Sequence, residues 1–162
     1  MNASGIYLDW NADAPVSEHA WNAYVEASKH YGNPSSAHGP GRAARDVLEA
    51  SRAAVGRAFG MPADSVIFTS GGTESDALAL VGYLADATEG SVLTAGIEHP
   101  AVIKNLEALC ERNGLRLIRA HVGTCGVLDV DEVERSICDD TLLVSTMMAS
   151  NETGIIQPIQ EI

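Results

Sequence analysis

Basic side chains are scarce in this sequence. Ten lysines and arginines stand against 22 aspartates and glutamates, giving a formal net charge of −12 over 162 residues. That balance argues against nucleic acid or an anionic membrane surface as a partner, since both require a basic face. It leaves a small anionic ligand open, because such a ligand needs only local donors. Cysteine is equally sparse: Cys110, Cys125 and Cys138 form no CxxC or CxxxC pair. An odd, widely spaced set excludes a disulfide framework and a zinc site, and fits a reducing cytoplasm. No apolar run approaches the ~18 residues that a membrane span needs. The opening Met1-Asn-Ala-Ser-Gly has neither a basic nor an apolar segment, so no signal peptide is expected. Internal repeats and low-complexity linkers are missing too.

What is present is a globular composition, 46% hydrophobic and 20% charged, with length enough for a real core. Ile6 to Leu8 reads as a short strand. A helix capped by Ser17 runs to about Tyr31. Gly32 to Gly41 is a loop by composition. Arg42 to Phe59 is a long helix, with Ala44, Val47, Leu48, Val55, Ala58 and Phe59 at three- and four-residue spacing and Gly60 closing it. Arg42, Arg45, Arg52 and Arg57 read as a solvated face with local ion pairs. Val66 to Phe68 is a strand leading into a helix that ends near Ala85. Strands follow at Ser91–Ala95, Leu115–Val122 and Thr141–Met147. Helices lie between them, over Ala101–Asn113 and from Asp129 or Asp131 to Cys138. Strands alternating with helices in this way predict an α/β fold in three layers, with a mostly parallel sheet and helices on both faces. Gln157-Pro-Ile-Gln-Glu-Ile162 resembles the first turn of another helix, so the chain is expected to be the front part of a longer protein.

The sequence pivots on Val66-Ile-Phe-Thr-Ser-Gly-Gly-Thr-Glu-Ser75. Two readings apply to it. Gly71 and Gly72 let backbone approach a ligand closely, and a helix N-terminus offers unpaired N–H groups to an anion, with the Thr73 hydroxyl as a further donor. Alternatively it is an ordinary turn, with Thr73 as N-cap and Asp76 completing a capping box. It matches neither GxxxxGK[ST] nor GxGxxG. Parallel α/β sheets gather ligands at the carboxyl ends of their strands. Three polar turns fall at such ends: Thr69–Ser75, Glu98–His99 and Ser150–Glu152. His99 precedes Pro100, which biases it to extended backbone. Its imidazole suits stacking on a flat ligand or proton transfer near neutral pH, unless it is a loop histidine bonded to backbone. Asn151 offers an amide donor, or is a turn asparagine. His19, His30, His38 and His121 have no metal-ligand spacing.

Five segments in order carry a resemblance. They are Tyr7-Leu-Asp-Trp-Asn-Ala-Asp-Ala-Pro15, Gly32-Asn-Pro-Ser-Ser-Ala-His38, Phe68-Thr-Ser-Gly-Gly-Thr-Glu-Ser75, Ile97-Glu-His-Pro-Ala101, and Asn151-Glu-Thr-Gly154 with Gln157-Pro158. Together they resemble the NifS/IscS-type cysteine desulfurases, fold-type I pyridoxal 5′-phosphate enzymes of the class V aminotransferase group. The resemblance implies that residues 1–15 pack with a small domain and that 16–162 form the front of the cofactor-binding large domain. It implies that Gly72 and Thr73 bind the cofactor phosphate. His99 then stacks on the pyridine ring and assists proton transfers, and so counts as catalytic. Asn151 bonds the ring's phenolic oxygen and holds the substrate carboxylate, with Asn11 also near the substrate. The implied reaction is L-cysteine to L-alanine, with sulfur passing to an enzyme cysteine as a persulfide for iron–sulfur cluster assembly or another sulfur-transfer route. A homodimer and a sulfur-acceptor protein are implied partners.

The sequence departs from the family at Asp13, usually threonine, and at Ser150, usually asparagine. Larger is what it does not contain. The Schiff-base lysine and the nucleophilic cysteine lie beyond residue 162 in the family. The two lysines present, Lys29 and Lys104, match no such motif, nor do the three cysteines. These 162 residues alone are therefore expected to be inactive. Another class V enzyme, such as a selenocysteine lyase or an aminotransferase, and a non-catalytic truncated remnant are the alternative expectations.

Overall fold

A computed structural model describes residues 6–162. The reading of Met1 to Gly5 as lacking a leader, and the first five residues of the 1–15 segment, lie outside the described residues. The chain forms two compact units, one closing at Phe68 and one running from Thr69 to Ile162.

In the second unit, β1 (Ser91–Ala95), β2 (Arg116–Ala120) and β3 (Thr141–Ser145) form a parallel sheet in the order β2-β1-β3. β1 sits in the middle and is buried along its whole length, as its run Ser-Val-Leu-Thr-Ala requires. Helices α3 (Gly72–Leu84), α4 (Pro100–Asn113) and α5 (Val130–Ser136) connect and cover it. Val92 on one face joins Leu80 and Leu84 of α3 with Leu106, Leu109 and Cys110 of α4. Leu93 and Ala95 on the other face join Ala120, Leu128 and Val133 of α5. Helices therefore lie on both faces of a parallel sheet, as the alternation predicts. β3 is an edge strand and stays half-buried throughout.

In the first unit, α1 (Glu18–Ala27) and α2 (Gly39–Phe59) are followed by a single 3-10 turn, Ala63–Ser65. Ser17 caps α1, its hydroxyl accepting from the Ala20 amide at 3.2 Å. The helix stops four residues before Tyr31. None of its residues is buried, and an unpacked helix frays at its end. α2 begins earlier than its apolar stripe. His38 Nδ1 accepts from the Gly41 amide at 3.2 Å, Pro40 stands in the first turn, and Gly60 ends the helix at φ +66°. The arginines do more than pair with acids. Arg45 donates to the Pro34 carbonyl at 2.7 Å, Arg42 to the Ala37 carbonyl and Arg52 to the Val66 carbonyl. The Arg52 guanidinium also lies over the Phe68 ring at 5.0 Å. Only Arg52, with Glu49 at 3.2 Å, forms an ion pair of the expected kind.

Two expected strands are not strands. Ile6–Leu8 and Val66–Phe68 carry no ladder. Backbone at Val66 is extended, with φ −93° and ψ 122°. Propensity gave the conformation, but a strand also needs a neighbour to accept its hydrogen bonds, and no described strand pairs with either segment. Gln157–Ile162 forms turns and no helix; the Glu161 amide donates back to the Pro158 carbonyl at 3.1 Å. Among the described residues no helix is long and apolar enough to cross a membrane.

Candidate functional site

The carboxyl ends of β1 and β3 open onto one cavity of about 350 Å³. Three segments wall it: Gly96–Pro100 after β1, Gly126 in the turn after β2, and Ser150–Thr153 after β3. The fold thus brings His99 and Asn151 to one space.

His99 ends the β1 turn and caps α4. Its Nδ1 accepts from the Ala101 amide at 3.1 Å, and Pro100 follows at the first helical position. The backbone-bonded reading of this residue therefore holds. One nitrogen is a backbone cap. The neutral ring then carries its proton on Nε2, and the ring is fixed as a wall of the cavity. Glu98 beside it is half-buried, and its Oε1 has no hydrogen-bond partner. Burial pushes the Glu98 carboxyl up, and the Asp76 carboxylate of α3 pushes it the same way; the Met147 and His99 backbone groups oppose both.

Asn151 sits in a turn whose shape is set locally. The Ser150 amide donates to the Ile155 carbonyl at 2.9 Å and the Gly154 amide to the Ser150 carbonyl at 2.9 Å. Ser150 Oγ accepts from the amides of Glu152 at 3.3 Å and Thr153 at 3.2 Å. Serine at 150 is thus an ST-type turn former, and the departure at this position has a local role.

Gly72 and Thr73 are not among the cavity walls. They form the first turn of α3, whose N-cap is Gly71 and not Thr73. The reciprocal capping role falls to Glu74, two residues before Asp76: its Oε2 accepts from the Ser70 amide and hydroxyl, each at 2.6 Å. Those Ser70 bonds hold the Glu74 carboxyl below its ordinary range. Thr69 Oγ1 and Ser75 Oγ meet at 2.7 Å, bracing the same turn. The N-cap Gly71 has no side chain to bond the α3 amides, and a Cβ built on Gly71 or Gly72 meets nothing within 4 Å. No packing within the protein demands glycine there. The space a side chain would fill is open to a ligand. Asn11 belongs to the first unit.

The two lysines and Cys110 do not wall the cavity. Lys29 is 62% exposed and paired with Glu26 at 2.6 Å, and Lys104 is 77% exposed and paired with Glu107 at 3.1 Å. Cys110 is buried in the core, and burial pushes its thiol up, so it stays protonated. No group of histidines, cysteines and acids among the described residues is placed to hold a metal ion.

Sequence reasoning missed Glu98, Gly126 and Gln157. Glu98 had a signal, as the acid beside His99 in a turn at a strand end. Gln157 stood in the fifth matched segment, but its role, like that of Gly126, arises from contacts across about thirty residues of chain, from Gln157 back to the turn after β2.

Known proteins share this fold. The chain is 38% identical over 160 residues to the cysteine desulfurase IscS of Dictyoglomus turgidum, covering 97% of this chain and 40% of that protein. It is 39% identical over 159 residues to IscS 1 of Archaeoglobus fulgidus, covering 96% and 41%. A solved NifS-like protein superposes with a TM-score of 0.85 at 34% identity, over 93% of this chain and 42% of its own. A structure of SspA in complex with cysteine superposes at 0.87 and 28%, over 96% and 46%. The chain thus spans about two fifths of the length of the curated relatives it matches. The aminotransferase class-V profile matches residues 6–162 in one stretch, and the chain belongs to that family.

Proposed function

We propose that this chain holds the ring-facing and phosphate-binding part of a pyridoxal 5′-phosphate site, in a protein that removes sulfur from L-cysteine. The observation that carries the reading is the placing of His99 and Asn151 on one cavity at the carboxyl ends of β1 and β3. The open glycine turn at the α3 N-terminus supports it: it offers backbone donors, a hydroxyl and no competing cap. These donors suit the three parts of the cofactor, a phosphate, an aromatic ring and a ring oxygen.

When bound, the cofactor supplies an electron-withdrawing ring that draws charge from the substrate's α-carbon. The chain's own residues bind and orient. The Gly72 and Thr73 amides and the Thr73 hydroxyl hold the phosphate. The His99 ring stacks, and its Nε2 is the atom at which a proton is held or moved. The Asn151 amide donates to the ring oxygen and to the substrate carboxylate, with Asn11 as a further substrate contact. The full conversion, L-cysteine to L-alanine with sulfur carried on an enzyme cysteine as a persulfide, needs a lysine and a cysteine in positions that Lys29, Lys104 and the three cysteines do not occupy. It therefore belongs to a longer protein, which we read as a cytoplasmic homodimer serving a sulfur-acceptor protein.

Titration of the purified chain with pyridoxal phosphate, followed by L-cysteine, tests this. Saturable binding without alanine release is the expected result. Failure to bind overturns the reading, and so does a borohydride-stable adduct on Lys29 or Lys104.

A further inference from the structure

Gln157 is 3% exposed, yet it carries an amide that the proposed chemistry does not use. Its Oε1 accepts from the Leu128 amide at 2.8 Å, and its Nε2 donates to the Gly126 carbonyl at 3.0 Å. One side chain thus grips both polar groups of the turn after β2. Its backbone faces the other way, the Gln157 amide donating to the Met148 carbonyl at 2.8 Å. Ile156 pairs with Ala149 in an antiparallel bridge beside it. Gly126 is held at φ +78°, and a Cβ there would collide with the Ile155 side chain. Two of the three segments that wall the cavity, Gly126 and Ser150–Thr153, are therefore fastened to each other through residues 155–157. The third, which carries His99, is fastened separately by its α4 cap.

We propose that Gln157 is a positioning residue for this site: its buried amide sets the Ser150–Gly154 turn, and so the place of Asn151 opposite His99. A glutamine satisfies both partners at once, one as acceptor and one as donor. Leucine fills the volume and leaves a buried amide and a buried carbonyl unpaired. Glutamate keeps the acceptor but, when ionised, sets a carboxylate oxygen against the Gly126 carbonyl. The functional half of this inference rests on the pyridoxal phosphate reading; the structural half does not.

Two measurements on the 162-residue protein decide it. The first is amide hydrogen exchange without cofactor. In Q157L the Ser150 and Gly154 amides should exchange about tenfold faster, the scale of one lost hydrogen bond, with β1 amides unchanged. A rise confined to Leu128 overturns the proposal. The second is pyridoxal phosphate affinity in a double-mutant cycle with N151A. Q157L should weaken binding about tenfold in the native background and less than about twofold beside N151A, because the two act as one unit. Losses that multiply would show that Gln157 does not act through Asn151. If Q157L fails to fold, Q157E replaces it. The ratio of its exchange at Ser150 and Gly154 to that of the native protein at the same pH should fall toward one as pH drops through the ordinary carboxyl range near ~4.3, where the protonated acid again donates to Gly126; a ratio independent of pH overturns the proposal. If the unmodified protein binds no pyridoxal phosphate, the cofactor reading fails while the exchange data still judge Gln157.

Discussion

The two units of this chain are built by different means. The residues from Thr69 onward hold the apolar core: Leu84, Val92, Leu93 and Leu106 are all but sealed from solvent. In the first unit the buried residues of α2 are two glycines, Gly41 and Gly56, and α1 has none. Close backbone approach and arginine-to-carbonyl bonds shape that unit, with little apolar burial. The difference bears on the proposed site. His99 and Asn151, both exposed, follow β1 and β3, strands that the packed core holds.

Core substitution sharpens the contrast most. L106A removes a fully buried side chain and should cost about 2–5 kcal/mol in chemical denaturation. V55A, on the half-exposed stripe of α2, should cost under about 1 kcal/mol. Equal losses would break the comparison. Glycine substitution comes next, with the order reversed. A Cβ at Gly41 would stand 2.6 Å from the Ser36 carbonyl oxygen and 2.8 Å from that of Asn33. G41A should therefore cost roughly 1–3 kcal/mol through forced backbone movement. G72A meets no atom and should leave stability unchanged or raise it by up to about 1 kcal/mol, since alanine favours a helix. Yet it should weaken pyridoxal phosphate binding, which a simple turn glycine would not do.

Much of the second unit was legible in sequence, because its apolar runs have partners within reach. Ser91–Ala95 has the bounds that its β-rich run predicts, and α4 differs by one residue at Pro100. Val66–Phe68 has equal β-propensity and forms no strand, since pairing is a property of neighbours that no local pattern reports. The cavity was legible as two polar turns at strand ends, Glu98–His99 and Ser150–Glu152; the third expected turn, Thr69–Ser75, follows no strand and does not wall it. What was not legible is how they are fastened. Gln157 follows no periodicity, and Glu74, not Asp76, makes the reciprocal bond, to Ser70, because the N-cap is Gly71, two residues earlier than the Thr73 cap expected.

Smaller effects concern charge. The Glu98 carboxyl is raised by burial, so the folded protein takes its proton more readily than the unfolded chain. Its contribution to stability is full below the ordinary carboxyl range and is lost as pH rises through the folded value. E98Q should therefore stabilise the protein near neutral pH and flatten that part of the pH profile; a profile identical to the native one would contradict the assignment. Least of all should K104A matter. Its partner Glu107 keeps Arg119, so neither melting nor cofactor affinity should change measurably.

The central claim is that the second unit binds pyridoxal phosphate through residues of three separate turns, two of which wall its cavity and one of which opens α3. A 15N-labelled protein titrated with the cofactor tests it residue by residue. The account predicts saturable shifts at Gly72, Thr73, His99 and Asn151, with the α1 and α2 resonances unmoved. Shifts centred on Lys29 or Lys104, or none at the four site residues, would contradict it.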